Sequence, residues 1–129
     1  MKKHGILNRE LSGIFAKLGH TDQIVIADCG LPIPPNVRCV DLSYKLGEPS
    51  FLTILDAVLD DFKVEKAIIA EEIKTANEAV EKAILSRVVP VEYVTHEHFK
   101  VLTKQAKVII RTGETTPYAN IILQSGVIF

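Results

Sequence analysis

Two side chains able to transfer protons flank a short apolar segment near the start of the chain. His20 follows Gly19, where we expect a helix to stop, and Asp28 follows the apolar run 23–27. A histidine can donate and accept protons near neutral pH, and a nearby carboxylate, Asp22 or Asp28, can orient its ring and fix its tautomer. This combination is typical of a proton-transfer site that faces a loop. Two simpler interpretations stay open, in which His20 only complements a helix C-terminus and Asp28 only forms a turn.

The apolar pattern around these residues predicts strands and helices in alternation. The predicted strands are 23–27, 37–42, 64–70, 91–94, 107–111 and 119–124. Four helices are predicted. The first covers 9–18 with Asn8 as N-cap, and the second begins near Pro49 and carries an apolar stripe over 52–62. The third is capped by Asn77 and has apolar residues over 80–88, and the fourth covers 96–105 and is capped by Thr95. We therefore expect an α/β fold, a single domain over 1–129 with a mostly parallel, mixed sheet and helices on both faces in a Rossmann-like three-layer arrangement. The last strand follows a loop too short for a parallel crossover and should be antiparallel.

Polar residues recur where this architecture places its binding sites. In open α/β sheets, ligands bind beyond the carboxyl ends of the strands. Asp28, the acidic pair 71–72 and His96 each follow a predicted strand, and the segment 118–120 lies at the start of the last one. Tyr118 and Asn120 supply a hydroxyl and an amide, groups suited to the hydroxyls of a sugar. The residues alone predict a small polar ligand, with acid–base chemistry as an option.

Several other kinds of site are disfavoured by spacing. His96 and His98 are two residues apart on a predicted helix and point in different directions, which argues against a two-histidine metal site. Cys29 and Cys39 have no metal-ligand spacing and are too few for a disulfide framework. The chain has neither a glycine-rich phosphate loop nor a serine or cysteine nucleophile elbow. We expect no metal and no nucleotide.

Charge and hydrophobic content limit the kinds of partner that we expect for this chain. The 129 residues carry a formal net charge of −1 with 15 scattered basic residues, so we expect no nucleic-acid partner. No apolar run approaches the roughly 20 residues that span a bilayer, and the N-terminus lacks the apolar core of a signal peptide. We therefore expect a cytoplasmic protein that does not enter the membrane. The hydrophobic content of 47% favours buried subunit contacts, although buried parallel strands also raise it.

Five short segments, in order and with compatible spacing, resemble the ribose and fucose mutarotase family and together cover essentially the whole chain. They are Leu18-Gly19-His20-Thr21-Asp22, Asp28-Cys29-Gly30-Leu31-Pro32-Ile33-Pro34, Ala70-Glu71-Glu72-Ile73-Lys74, Thr95-His96-Glu97, and Ile110 to Asn120. The fucose branch carries a histidine where this chain has Gly30, so the ribose branch fits better. Cys29 departs from the alanine usual in the family, a change between small residues that should preserve activity.

The resemblance implies an isomerase that interconverts the pyranose and furanose rings of β-D-ribose without a metal or organic cofactor. By motif, it implies His20 as the catalytic acid/base, and as sugar-binding residues Asp28, His96 rather than His98, Tyr118, Ala119 and Asn120. It also implies a ring-shaped homo-oligomer, a homodecamer of two stacked pentamers, with the site at a subunit boundary.

Ring interconversion needs the chemistry that these residues offer. The anomeric hydroxyl must lose a proton and the ring oxygen must gain one, after which a different hydroxyl closes the ring. We expect His20 to protonate the ring oxygen and Asp28 to orient either the imidazole or the sugar. Two alternatives stay open: a non-catalytic sugar-binding or transport-accessory subunit, and a mutarotase of another sugar such as fucose. A histidine phosphocarrier has little support.

Overall fold

The computed structural model describes residues 1–129, in which six strands form one mixed sheet. The elements, in chain order, are α1 (Arg9–Phe15), β1 (Gln23–Ala27), β2 (Cys39–Asp41), α2 (Phe51–Asp61), β3 (Val64–Ala70), α3 (Ile73–Ala76), α4 (Glu78–Leu85), β4 (Val91–Val94), α5 (His96–Leu102), β5 (Val108–Arg111) and β6 (Ile121–Ser125). The strand order is β2-β5-β1-β6-β3-β4, and β6 alone runs antiparallel to its neighbours. The predicted α/β class and the antiparallel last strand are confirmed.

Apolar side chains cover both faces of the sheet, as the continuous hydrophobic strands predicted. Ile24 and Ile26 point into a cluster of 20 buried residues that includes side chains of α1, α2 and α4. Val25 and Ala27, which alternate with them, join a second cluster of 7 buried residues around Phe99 of α5. Helices on both faces therefore give the expected three layers. No helix has the length and apolar character required to cross a membrane.

The helix starts follow local capping chemistry. The Asn8 side chain accepts hydrogen bonds from the N–H groups of Glu10 and Leu11 at 3.1 and 3.0 Å, and Thr95 accepts one from His98 N–H at 3.2 Å. Both predicted caps are confirmed. Asn77 does precede α4, but the prediction that its side chain caps this helix is wrong. Its amide instead donates to Thr116 Oγ1 and Pro117 O, both at 2.9 Å, and so holds a distant loop.

Some element ends differ from the predictions where a tight turn or a long-range hydrogen bond intervenes. Helix α1 ends at Phe15 rather than at residue 18. Beyond it, Thr21 adopts a left-handed φ of +72° and donates its N–H to Ser125 O at 2.9 Å, which turns the chain into β1. Strand β6 begins at Ile121 rather than at residue 119, because Tyr118 adopts a φ of +57° and Asn120 N–H donates to Tyr118 O in a tight turn.

Candidate functional site

A cavity of about 270 Å³ lies beyond the carboxyl ends of the strands, where the fold predicts a ligand. Its walls come from three segments that are distant in sequence: the loop after β1, the start of α5 and the loop before β6. The lining residues are Asp28, Gly30, Leu31, Pro32, His96, Pro117 and Tyr118. The structure therefore brings together most of the predicted site residues, with Ala119 and Asn120 buried directly beneath them.

Asn120 holds Asp28 in a fixed orientation. Its Oδ1 accepts the Asp28 N–H at 2.8 Å, and its Nδ2 donates to Asp28 Oδ2 at 2.9 Å. Gly30 N–H donates to the other carboxylate oxygen at 2.9 Å. Asn120 is only 1% exposed, so both ends of its amide serve Asp28 rather than a ligand directly. This pairing presents the remaining acceptor positions of the Asp28 carboxylate to the cavity.

His96 lines the same cavity, and its ring carries a buried nitrogen without a hydrogen-bond partner. Its backbone N–H donates to both carboxylate oxygens of Glu72, at 3.0 and 2.9 Å, which anchors the start of α5. Its ring stacks on Phe99 at 6.4 Å and meets Tyr118 edge-on at 5.1 Å between centroids. Nδ1 is buried and has no hydrogen-bond partner, a state that costs about 1–3 kcal/mol unless a ligand supplies one. A sugar hydroxyl has the chemistry to do so.

Three other polar residues of these segments, His98, Lys100 and Arg111, do not line the cavity. His98 is exposed, and Lys100 forms an ion pair with Glu97 at 2.7 Å. Arg111 donates to Cys29 O at 3.0 and 3.2 Å and to Asp41 at 3.0 Å, which braces the loop after β1. No group of three or more His, Cys, Asp and Glu side chains is arranged to hold a metal ion.

His20 lies at the end of the sheet opposite the cavity, before the first residue of β1. It precedes β1 whereas Asp28 follows it, and five strand residues at about 3.3 Å each separate the two by roughly 16 Å. The expectation that Asp28 orients the His20 imidazole is therefore wrong within one chain. Asp22 does not orient it either, because its carboxylate accepts the Gly19 N–H at 2.8 Å and approaches Lys107 Nζ at 3.8 Å. His20 Nε2 instead lies 2.9 Å from Glu65 Oε2.

The contacts of two acidic residues, Glu72 and Glu65, could not be predicted from the sequence. Glu72 belongs to an acidic pair that the strand pattern placed near the site, but nothing local showed that it binds the His96 backbone. Glu65 occupies the second position of β3, where a charged residue indicates only a half-exposed strand end. Their partners are 24 and 45 residues away, so no local pattern contains them.

The loop before β6 depends on the Glu114 carboxylate. It accepts hydrogen bonds from Phe51 N–H at 3.0 Å and from Thr116 Oγ1 at 2.8 Å. Burial acts to raise the pKa of Glu114, but these hydrogen bonds outweigh it, and the net pKa lies below the ordinary value of 4.5. The ionised form thus joins this loop to the start of α2.

The depressed pKa of Glu114 predicts an acid-dependent contribution to stability. A carboxyl whose folded pKa is lowered stabilises the fold above its unfolded pKa and loses this effect as pH falls through the folded value. The wild type should therefore melt at a higher temperature than E114Q at pH 7, and the difference should shrink as pH falls below the ordinary value of 4.5. Melting temperatures measured from pH 7 to pH 3 test this. A difference that stays constant with pH would contradict it.

Removing the Asn120 amide should destabilise the site and the fold. In Asn120→Ala, the Asp28 N–H and one carboxylate oxygen lose a buried partner, at a cost of about 1–3 kcal/mol. We expect the melting temperature in scanning calorimetry to fall by several degrees. Asn36→Ala, at an exposed loop position, is the matched control and should melt like the wild type. Equal melting of N120A and N36A would rule out the proposed bracing of Asp28.

An open α/β sheet with a small, partly polar cavity beyond its strand ends defines a protein that binds a small molecule. Comparison with known protein families identifies one family within this class. The chain belongs to the RbsD / FucU transport protein family, whose model matches residues 1–128, so the resemblance seen in the sequence is confirmed.

Relatives match along the full length. The chain is 59% identical over 129 residues to the D-ribose pyranase of Halalkalibacterium halodurans and 60% identical over 129 residues to that of Exiguobacterium sibiricum, with 100% of both chains covered in each case. Its fold matches a solved structure of RbsD from Bacillus subtilis complexed with D-ribose, with a TM-score of 0.98, 53% identity and 100% of both chains covered.

Proposed function

We propose that this protein is a D-ribose pyranase, an isomerase that interconverts the β-pyranose and β-furanose forms of D-ribose and so supports ribose catabolism in the cytoplasm. The observation that carries the proposal is the full-length likeness to D-ribose pyranases and to RbsD complexed with D-ribose. The cavity agrees with it in chemistry. It offers the Asp28 carboxylate and the unpartnered His96 Nδ1 to hydroxyl groups, and the Tyr118 ring to an apolar sugar face.

The reaction is a pair of balanced proton transfers. During opening, the anomeric hydroxyl loses its proton to the Asp28 carboxylate, the bond between C1 and the ring oxygen breaks, and the ring oxygen takes both the electron pair and a proton from His20. In closure, another hydroxyl attacks the C1 carbonyl and gives its proton to His20, while the carbonyl oxygen regains the proton held by Asp28. Positioned acid–base catalysis contributes about 10²–10⁴-fold.

A second copy of the chain must supply His20. Within one chain the imidazole lies at the sheet edge opposite the cavity, roughly 16 Å from Asp28 along β1. In the proposed homodecamer of two stacked pentamers, His20 of one subunit faces the cavity of the next. Large apolar side chains available for subunit contacts are Tyr44, Leu46, Ile128 and Phe129, which are 80–100% exposed in the single chain.

The same geometry supports a second candidate, a sugar-binding subunit without catalysis, because one chain holds the cavity but not the proton donor. Exchange NMR of the ribose anomeric protons separates the two. We expect added protein to accelerate exchange between the pyranose and furanose signals, whereas heat-denatured protein should not. Ribose binding with unchanged exchange would refute the isomerase and leave the binding subunit. The same experiment with L-fucose tests the alternative substrate.

A further inference from the structure

A chain of hydrogen bonds at the amino edge of the sheet ends on His20. The His20 Nε2 lies 2.9 Å from Glu65 Oε2, and the Glu65 Oε1 accepts a hydrogen bond from Gln124 Nε2 at 2.5 Å. Gln124 Oε1 in turn accepts one from Gln23 Nε2 at 3.1 Å. The three supporting residues belong to the adjacent strands β3, β6 and β1, so the rigid sheet holds the carboxylate in place.

The Glu65 carboxylate is hydrogen-bonded to the His20 imidazole. The hydrogen bond from Gln124 and then that from His20 lower the pKa of Glu65, which keeps it ionised at neutral pH. The other charged groups nearby have partners of their own. Asp22, in the turn after His20, binds Gly19 N–H and approaches Lys107, and Lys66 on β3 pairs with Glu92 of β4 at 3.2 Å.

An ionised carboxylate can only accept a hydrogen bond, so the nitrogen that faces it must carry the proton. In neutral histidine the other nitrogen is then the acceptor, because a hydrogen bond at one nitrogen sets the tautomer. The His20 side chain is 53% exposed, and no other hydrogen bond holds its ring. The contact with Glu65 is therefore what limits the ring to one orientation and one tautomer.

We infer that Glu65 is a positioning residue for His20: it binds Nε2–H and leaves Nδ1 as the nitrogen that exchanges protons with the sugar of the neighbouring subunit. This inference rests on the proposed function. Glu65 also stabilises the imidazolium that exists whenever His20 holds the transferred proton. The ribose cavity lies at the opposite edge of the same chain, and Glu65 is not among its lining residues.

The first test compares Glu65→Ala and Glu65→Gln with the wild type in ribose exchange NMR. We expect kcat to fall roughly tenfold in E65A and less in E65Q, whose amide oxygen can still accept Nε2–H. Ribose Kd should remain unchanged. Glu92→Gln removes a negative charge from an exposed position on β4 and should behave like the wild type.

The second test asks whether Glu65 acts through His20. Adding E65Q to His20→Ala should leave the ribose Kd of H20A unchanged, whereas a general structural role of Glu65 would raise that Kd. Wild-type rates in E65A and E65Q, or a weaker ribose affinity in the double variant than in H20A, would overturn the inference.

A third readout does not depend on activity. In protein with 15N-labelled histidine, the His20 signal, assigned by its absence in H20A, should show the Nε2–H tautomer at alkaline pH and a mixture of tautomers in E65A. An Nδ1–H tautomer in the wild type would overturn the inference even if ribose exchange is catalysed. Absent exchange with the Nε2–H tautomer intact would refute the proposed function and leave the positioning of His20 supported.

Discussion

His20→Ala is expected to abolish the acceleration of ribose ring exchange while leaving ribose binding intact. Loss of a positioned acid–base group lowers the rate by about 10²–10⁴-fold. Binding should survive because the residues that line the cavity, among them Asp28 and His96, are unchanged in H20A. Exchange NMR measures the rate, and isothermal titration calorimetry with ribose measures the Kd. His4→Ala, which also removes an exposed histidine near the N-terminus, is the control and should retain full activity.

A subunit mixture tests where His20 acts. H20A and Asp28→Ala should each be inactive, but mixed oligomers contain interfaces that join an intact cavity to an intact His20. If subunits mix at random in equal amounts, roughly a quarter of the sites recover both groups. Failure to recover exchange in oligomers proven to be mixed would contradict a shared site. Activity in H20A alone would remove His20 from the mechanism.

His96→Phe should weaken ribose binding without weakening the fold. Phenylalanine keeps a flat ring against Phe99 and Tyr118 but lacks the Nδ1 that is buried without a partner. Loss of a hydrogen bond between Nδ1 and a ligand hydroxyl costs about 1–3 kcal/mol, which corresponds to a rise in Kd of about 5-fold to 150-fold. The melting temperature of the free protein should stay level or rise, because an unsatisfied buried nitrogen has been removed.

In H96F the ribose affinity should fall while the melting temperature does not, and this combination distinguishes the loss of Nδ1 from general damage to the cavity. A substitution that merely damages the cavity would lower both ribose affinity and melting temperature. His98→Phe, two residues further along α5 on an exposed position, is the matched control and should leave the Kd unchanged. Wild-type affinity in a folded H96F would remove Nδ1 from the sugar-binding site.

Local sequence patterns were sufficient to predict much of the fold. The runs 23–27, 64–70 and 91–94 predicted β1, β3 and β4 with their observed ends, and Asn8 and Thr95 cap the predicted helices. These features depend on side-chain periodicity and on contacts within four residues, which a sequence displays directly. Element ends shifted where a distant strand intervened, as at Thr21, whose N–H binds Ser125 O.

The sequence by itself determined the α/β class, the family and the residues that carry polar chemistry, because these depend on local patterns and short motifs. Only the tertiary structure decided how those residues are grouped. Asn120 meets Asp28 across 92 residues, and His20 meets Glu65 across 45, because β6 lies between β1 and β3 in the sheet. Strand order is a property of long-range packing, which local patterns do not contain, whereas the separation of His20 from Asp28 follows from the extended strand β1 between them.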